Sequence, residues 1–365
     1  MALHCGIIGI TNCGKTTVFN CMSNVKAEIT GFAFSSNKSN LGVVNVPDPR
    51  LVELEKLEPT EKLVYATIDI VDIPGLTKGA SQGEGIGNSF LSDIRNADAL
   101  IHVLRCFEDE NLAHIDGSIN PVRDMETIDL ELQIKDLESV NKKILRMEKI
   151  AKSGDKEARQ AIEVLNVYRD HLENMQNART APVKEEDKKY IEDICLLTAK
   201  PVIIVCNVDE KSLTEDNKYV TATKNAVATE NIKVLTVAAK LEAEISELES
   251  DEEKQEFLKD YGLKEASVNV IIRAAYDMLN LQSFFTVGPK EIKAWTISKG
   301  MTAPEAAGVI HSDLERGFIR AEVMKYQDYI TLGSETAVKN AGKFHVEGKN
   351  YVVDDGDILH IRFNV

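Results

Sequence analysis

The segment "GITNCGKT", Gly9 to Thr16, carries a glycine, four residues, and then Gly-Lys-Thr. That spacing suits the gripping of phosphates. Glycines at 9 and 14 let backbone N–H groups turn into a loop and meet anionic oxygens. Lys15 reaches the β- and γ-phosphates, and the Thr16 hydroxyl ligates Mg²⁺. A second segment, "DIPG", runs from Asp72 to Gly75. A carboxylate there can hold the metal's water shell, and the Gly75 N–H can meet the terminal phosphate. Alone, the second segment is a common turn. The pairing of the two points to a nucleoside triphosphate.

Directly after comes "LTKGASQGEGIGNSF", with glycines at 79, 83, 85 and 87. Such a segment suits a switch that senses the γ-phosphate. Its glycine-rich run at 83–88 follows no strand of its own, so a dinucleotide site is not expected. Leu76 stands where many GTPases carry a glutamine that orients the attacking water. Leucine cannot do that. Either turnover is slow or another group acts, and His114 in "ENLAHIDG" is the candidate, in a loop after a strand.

The base is read elsewhere. After the run 201–206 comes "CNVDE". GTPases show Asn-Lys-x-Asp here, with the Asp accepting from guanine N1–H and its 2-amino group. This chain has Asn207, Val208, Asp209 and Glu210. The lysine is gone and the fourth position is a longer carboxylate. The guanine clamp is broken, and ATP becomes at least as plausible as GTP. Asp209 could take the reading role only with its spacing off by one residue.

These segments need a scaffold. Residues 4–9 are a short apolar run, followed by the loop and then by the helix-forming "KTTVFNCMSNV". The runs 66–73, 98–107, 201–208 and 233–239 are β-rich and apolar, as suits strands buried on both faces of a mostly parallel sheet. Helical stretches between them complete an α/β domain. Between about 125 and 190 glycine is scarce and charge dense. Leu130, Ile134, Leu137, Ile144 and Ala151 step at three and four residues, and Ala158, Ile162, Leu165 and Leu172 resume after "SGD". This predicts an inserted antiparallel helical hairpin. After Leu281 short β-rich runs alternate with Gly, Asp and Asn turns, which predicts a small β-grasp-like module. The expected division is 1–124 and 191–280 for the α/β domain, 125–190 for the insertion and 281–365 for the last module.

With 365 residues the chain exceeds one ordinary core. Apolar residues at 43% and charged residues at 28% are globular values. A formal charge of −16 disfavours a general nucleic-acid coat and DNA as a partner. No segment reaches the ~20 apolar residues of a membrane helix. The six cysteines (Cys5, Cys13, Cys21, Cys106, Cys195, Cys206) form no C-x-x-C pair, so zinc is not expected. They read as reduced thiols in a cytoplasm. Cys13, beside Lys15 at a helix start, is expected to be the most reactive. Lys290, Lys293, Lys299, Arg316 and Arg320 lie close in sequence and could form a local basic face.

The motifs "GIxGxxNxGKTTxFN", "PDPRL", "VDIPGLxKGASxGEGxGNxFL", "RCFEDENLxHIxG", "TAKP", "NVxE", "AAKLEAEI" and "GVIHSDLERGFIRAEV" resemble the YchF subfamily of Obg-related P-loop proteins, the Obg-like ATPases. The resemblance runs from residue 3 to 365. It implies a P-loop NTPase G domain with an inserted helical coiled-coil hairpin and a C-terminal β-grasp (TGS) domain. It implies slow hydrolysis of ATP, with GTP weaker, and association with the ribosome or its subunits. It places the catalytic histidine on His114, the phosphate loop on Asn12, Cys13, Gly14, Lys15, Thr16 and Thr17, the metal ligand on Thr16, and base contacts on Asn207, Val208 and Glu210. Cys13 and Thr16 depart from the family's usual Val and Ser, and Thr16 keeps the hydroxyl. In the first switch Ser36 stands where the family carries threonine, and it is the second expected metal ligand.

Overall fold

A computed structural model describes residues 3–23, 39–75, 87–230, 232–248 and 250–364. It falls into two compact units. The first holds residues up to 42 and 69–271, and the second holds 43–68 and 272–365. The helical insertion belongs to the first unit. Residues 43–68, expected in the α/β domain, group instead with the C-terminal module.

The sheet around the phosphate loop contains β1 (His4–Ile8), β2 (Asn40–Asn45), β4 (Thr67–Asp72), β5 (Ala99–Arg105), β6 (Val202–Asn207) and β7 (Lys233–Val237), in the order β2-β4-β1-β5-β6-β7. β1 lies parallel to both β4 and β5, with Ile7 opposite Asp72 and Ile101. β5, β6 and β7 continue in parallel. Every residue of β5 is buried, as expected of a strand covered on both faces. Strand order reverses at β1, and open α/β sheets bind ligands outside the carboxyl ends of their strands at such a point. The helices of this unit include α1 (Lys15–Met22), α3 (Gly87–Asn96), α6 (Lys218–Ala226), α7 (Ala239–Glu247) and α8 (Asp251–Asp260); α2 (Pro49–Leu57) belongs to the other unit, and α9 (Ser267–Met278) spans the boundary between them.

The insertion is α4 (Pro121–Ala151) and α5 (Lys156–Glu173). The Asn120 side chain accepts from Arg123 N and Pro121 opens the helix, so α4 starts sharply. Its 31 residues span roughly 46 Å at 1.5 Å per residue. A turn with Gly154 at φ 89° and an Asp155 cap reverses the chain. The expected stripe needs correction in its first half. Leu130 and Ile134 are 41% and 39% exposed, while Ile128, Leu132, Val140 and Ile144 are buried. The base of α4 packs on the sheet and its outer part packs on α5, so no single stripe serves both partners. The hairpin also has a core of its own. Val140, Ile144, Ala161, Leu165 and Tyr168 pack with Ala178, Tyr190, Ile191 and Leu196 from the short 3-10 turns that follow. Asp136 fastens these turns, accepting from Leu197 N, Thr198 N and Thr198 Oγ1, each at 2.7 Å. Burial raises its carboxyl to about 6 against those hydrogen bonds.

In the second unit β8 (Leu281–Thr286) and β9 (Ile292–Ser298) form an antiparallel pair. With β3 (Leu63–Val64), β10 (Phe318–Lys325), β11 (Phe344–Glu347) and β12 (Asp357–Phe363) they make a sheet in the order β11-β10-β12-β8-β9-β3. β12 runs parallel to β8 and antiparallel to β10. The helix α10 (Ala303–Ile310) packs Ala303, Ala306 and Ala307 against Phe284, Ile297 and Leu359, a β-grasp arrangement. Residues 43–68 join it for a visible reason. Arg50 pairs with Asp48 and with Asp355, both at 2.8 Å, and lies over the Phe285 ring. The basic face expected here is largely neutralised: Lys299 pairs with Asp277, Arg316 with Asp313 and Arg320 with Glu322.

Candidate functional site

The phosphate loop is wound by three residues with positive φ: Gly9 (153°), Asn12 (62°) and Gly14 (96°). Gly14 is the left-handed cap of α1, and a Cβ there would strike Asn207 Nδ2. The loop's functional groups hold one another. Lys15, 7% exposed, donates from Nζ to Ile10 O at 2.9 Å. Thr16 Oγ1 donates to Asp72 Oδ2 at 2.9 Å. Thr17 sits half-buried on the same first turn of α1. Gly75 approaches so closely that a Cβ would stand 3.1 Å from Lys15 Nζ. Asp72 is buried, and burial raises its carboxyl while Lys15 and Thr16 oppose the rise. Its Oδ1 is buried with no hydrogen-bond partner. A carboxylate oxygen without a partner beside a threonine hydroxyl suits a hard divalent cation, whose ligands are oxygens. Mg²⁺ therefore fits Thr16 and Asp72.

Beside the loop runs the segment that bears His114. Arg105, at the end of β5 and 1% exposed, donates to Phe107 O, Asp109 O and Leu112 O at 2.9–3.3 Å. These three bonds fix the loop from inside, with the guanidinium over the Phe107 ring. Asn12 Nδ2 reaches across from the phosphate loop to Ala113 O at 3.3 Å. The next residue, His114, has a side chain only 4% exposed. Its Nε2 lies 2.9 Å from Asp124 Oδ2, and its Nδ1 accepts from Asp116 N at 3.1 Å. Donor atoms of His114, Asp116 and Asp124 come within 4.8 Å of one another. The Arg123 guanidinium, 3.0 Å from Asp124 and 3.6 Å from Asp116, already supplies the positive charge there. The cluster is an ion-pair network rather than a metal centre.

The base-reading side is built differently. Asn207, at the end of β6, donates from Nδ2 to Cys13 O at 3.0 Å and accepts on Oδ1 from Ala239 N at 3.1 Å. Its carboxamide therefore joins the phosphate loop to the start of α7. Val208 is 4% exposed and packs with Leu104, Cys106, Met125 and Val220. The Val208 side chain fills the core, so the base contact that the resemblance places on this residue falls to its backbone. Asp209 Oδ1 caps a 3-10 turn, accepting from Ser212 N at 2.9 Å and Ser212 Oγ at 2.6 Å, and so is not available for base reading. Glu210 is exposed and hydrogen-bonds the Tyr261 hydroxyl.

The fold thus brings Asn12, Gly14, Lys15, Thr16, Asp72 and Gly75 into one cradle, with Asn207 supporting it and His114 alongside. Ser36 and Leu76 lie outside the described residues. The expectation for Cys13 is reversed. Its thiol is wholly buried, and burial raises its pKa more than Lys15 lowers it. Cys195 is the exposed cysteine. Sequence reasoning passed over Arg105, Arg123 and Asp124. Charged residues at a strand end and in a helix's first turn usually read as solvated, and only tertiary packing buries Arg105 and Asp124.

A strand, a phosphate loop, a helix and a facing strand-end aspartate, on a sheet whose order reverses at the loop, define a P-loop nucleoside triphosphatase of the G-domain type. Residues 4–166 match the family described as 50S ribosome-binding GTPase. Residues 281–364 match the YchF-GTPase C-terminal family, described as a protein of unknown function. Over its full length the chain is 46% identical to the ribosome-binding ATPase YchF of Bacillus subtilis and 44% identical to that of Escherichia coli O157:H7, covering 100% of each. The solved structure of the Schizosaccharomyces pombe YchF GTPase is 34% identical, with a TM-score of 0.87 over 99% of this chain and 97% of that one. The chain belongs to the YchF family.

Proposed function

We propose that this chain hydrolyses ATP in preference to GTP, with Mg²⁺, as a slow nucleotide-dependent switch that binds the ribosome in the cytoplasm. The observation that carries the base preference is the loss of both guanine-reading groups. Val208 replaces the lysine, and the nearest aspartate, Asp209, is held as a helix cap. The names of the bacterial relatives support ATP and the ribosome.

In this reading the backbone of Asn12 to Thr17 cradles the phosphates, and Lys15 leaves Ile10 O for their oxygens. Thr16 and Ser36 ligate the metal, and Asp72 holds its shell through Oδ1. A divalent ion held by these residues would supply positive charge against the charge that develops on the phosphate oxygens. The Gly75 N–H meets the γ-phosphate. His114 replaces the glutamine absent at Leu76 and holds the attacking water. Asn207, Val208 and Glu210 form the base loop, with backbone groups near Val208 reading adenine N6. The insertion at 125–190 and the β-grasp module supply partner surfaces outside the G domain.

ATP and GTP turnover with and without purified ribosomal subunits tests this. ATP turnover should be low alone, exceed GTP turnover, and rise with subunits present. Faster GTP turnover, or no co-sedimentation with subunits in either nucleotide, overturns it.

A further inference from the structure

We infer that Asp124 and Arg123, in the first turn of α4, fix the tautomer of His114 and so choose which ring nitrogen works. The inference rests on the reading of His114 as the water-holding group. Two partners specify the same tautomer independently. The Asp124 carboxylate only accepts, so the nitrogen facing it at 2.9 Å, Nε2, carries the proton. The Asp116 N–H only donates, so Nδ1 presents its lone pair. Asp124 divides its duties. Oδ2 holds the ring, and Oδ1 accepts from Arg123 Nε at 3.2 Å and Nη2 at 3.0 Å. Arg123 in turn grips the His114 turn through Ser118 Oγ at 3.0 Å and Ser118 O at 2.6 Å.

The two ring contacts differ in strength. The bond to the buried carboxylate is charge-assisted, whereas the bond from the Asp116 amide is between neutral groups. A change in the 114–117 turn frees Nδ1 first and leaves Nε2 anchored. Nδ1 is then the lone pair offered to water, with Asp124 behind it as orienter. Asn12 ties the same turn to the phosphate loop, and α4 continues into the hairpin. The ring is thus held at the junction of the nucleotide cradle and the insertion.

The arrangement makes an unusual substitution informative. In Asp124→Asn the Arg123 fork, which has only donors, takes the amide oxygen. The NH₂ group is then turned toward His114 and requires a lone pair on Nε2, so the proton moves to Nδ1 and the bond from the Asp116 N–H, in the exposed turn, is given up. Nitrogen NMR of histidine-labelled full-length protein should show protonated Nε2 and bare Nδ1 for His114 in the wild type, and the reverse in Asp124→Asn. Single-turnover ATP hydrolysis should fall on the order of 10²-fold, with the ATP dissociation constant within about threefold of wild type. Adding Arg123→Met frees the amide to flip its oxygen back. The double variant should regain the wild-type tautomer and roughly tenfold of the lost rate, where a structural role would only add damage. A wild-type ring protonated on Nδ1 overturns the inference, and that spectrum decides it even if Asp124→Asn does not fold. Full turnover in a folded Asp124→Asn whose His114→Ala counterpart is inactive also overturns it. Full turnover in His114→Ala instead removes the catalytic reading of His114 and with it the functional half of the inference.

Discussion

The phosphate side of the site and the base side use their polar side chains in opposite ways. Around Gly9–Thr16 the groups hold one another through contacts that a nucleotide can replace: Lys15 on a backbone carbonyl, Thr16 on Asp72, and an Asp72 oxygen with no partner. Around Asn207–Glu210 the groups are committed to the fold. Asn207 joins two loops, Val208 fills the core and Asp209 caps a turn. On the proposed function, the difference assigns affinity to exchangeable side-chain contacts and base choice to main chain that the committed side chains keep in place. Phosphates offer the same charge in every nucleotide, so a fixed set of donors suffices. Discrimination between purines needs donors and acceptors in one orientation, and a rigid backbone supplies that without a clamp.

Lys15→Ala should break the phosphate side with the largest effect. The lost contact is a hydrogen bond from a charged donor, worth about 3 kcal/mol at most, or on the order of 100-fold in affinity. Isothermal titration with ATP and with GTP checks it. Both nucleotides should weaken by the same factor, since the ammonium touches neither base. Unequal losses would mean that the two ends of the site are coupled more tightly than the contacts suggest.

Val208→Lys separates the two sides in another way. If the side chain faced the base, the lysine would restore GTPase-like packing and leave stability alone. In the cluster of Leu104, Cys106, Met125 and Val220 it instead brings a long ammonium-bearing chain into an apolar site. The expected loss is about 3 kcal/mol of stability, read as a thermal midpoint lower by roughly 5–10 °C. A variant as stable as wild type and shifted toward GTP would return Val208 to the base.

The parts legible in the sequence share a physical trait. Local pattern dictates them. Runs such as "PVIIVCNV" are strands because both faces are apolar, and the phosphate loop is recognisable because glycine spacing fixes its winding. Readings went astray where a residue answers to distant partners. The stripe through Leu130 and Ile134 misjudged a helix whose base and outer part pack on different elements. Cys13 reads as reactive from its neighbours in sequence, yet the folded loop buries it wholly. Residues 43–68 follow the C-terminal sheet because Arg50 meets Asp355, 305 positions away. The roles of Arg105 and Asp124 belong to the same class, since nothing nearby in sequence announces a buried charge.

The finest test concerns Glu210, an exposed residue of the base loop that, unlike Asp209, caps no turn. Its partner is the Tyr261 hydroxyl, and Tyr261 lies 5.2 Å from Phe257 in a tilted ring pair. The carboxylate thus sits on a wet rim, where a single hydrogen bond contributes about 1 kcal/mol or less. Glu210→Gln keeps an acceptor for the phenol and removes the charge. If the main chain selects the base, the ratio of ATP to GTP dissociation constants should change by less than about threefold, under ~0.7 kcal/mol. A direct contact with the exocyclic amine of adenine would move it further, because a good bidentate base contact discriminates by ~1–3 kcal/mol. Glu210→Ala distinguishes the remaining possibility. It frees Tyr261 as well, so a ratio that moves in the alanine variant but not in the glutamine variant assigns the effect to the position of the phenol ring rather than to the carboxylate.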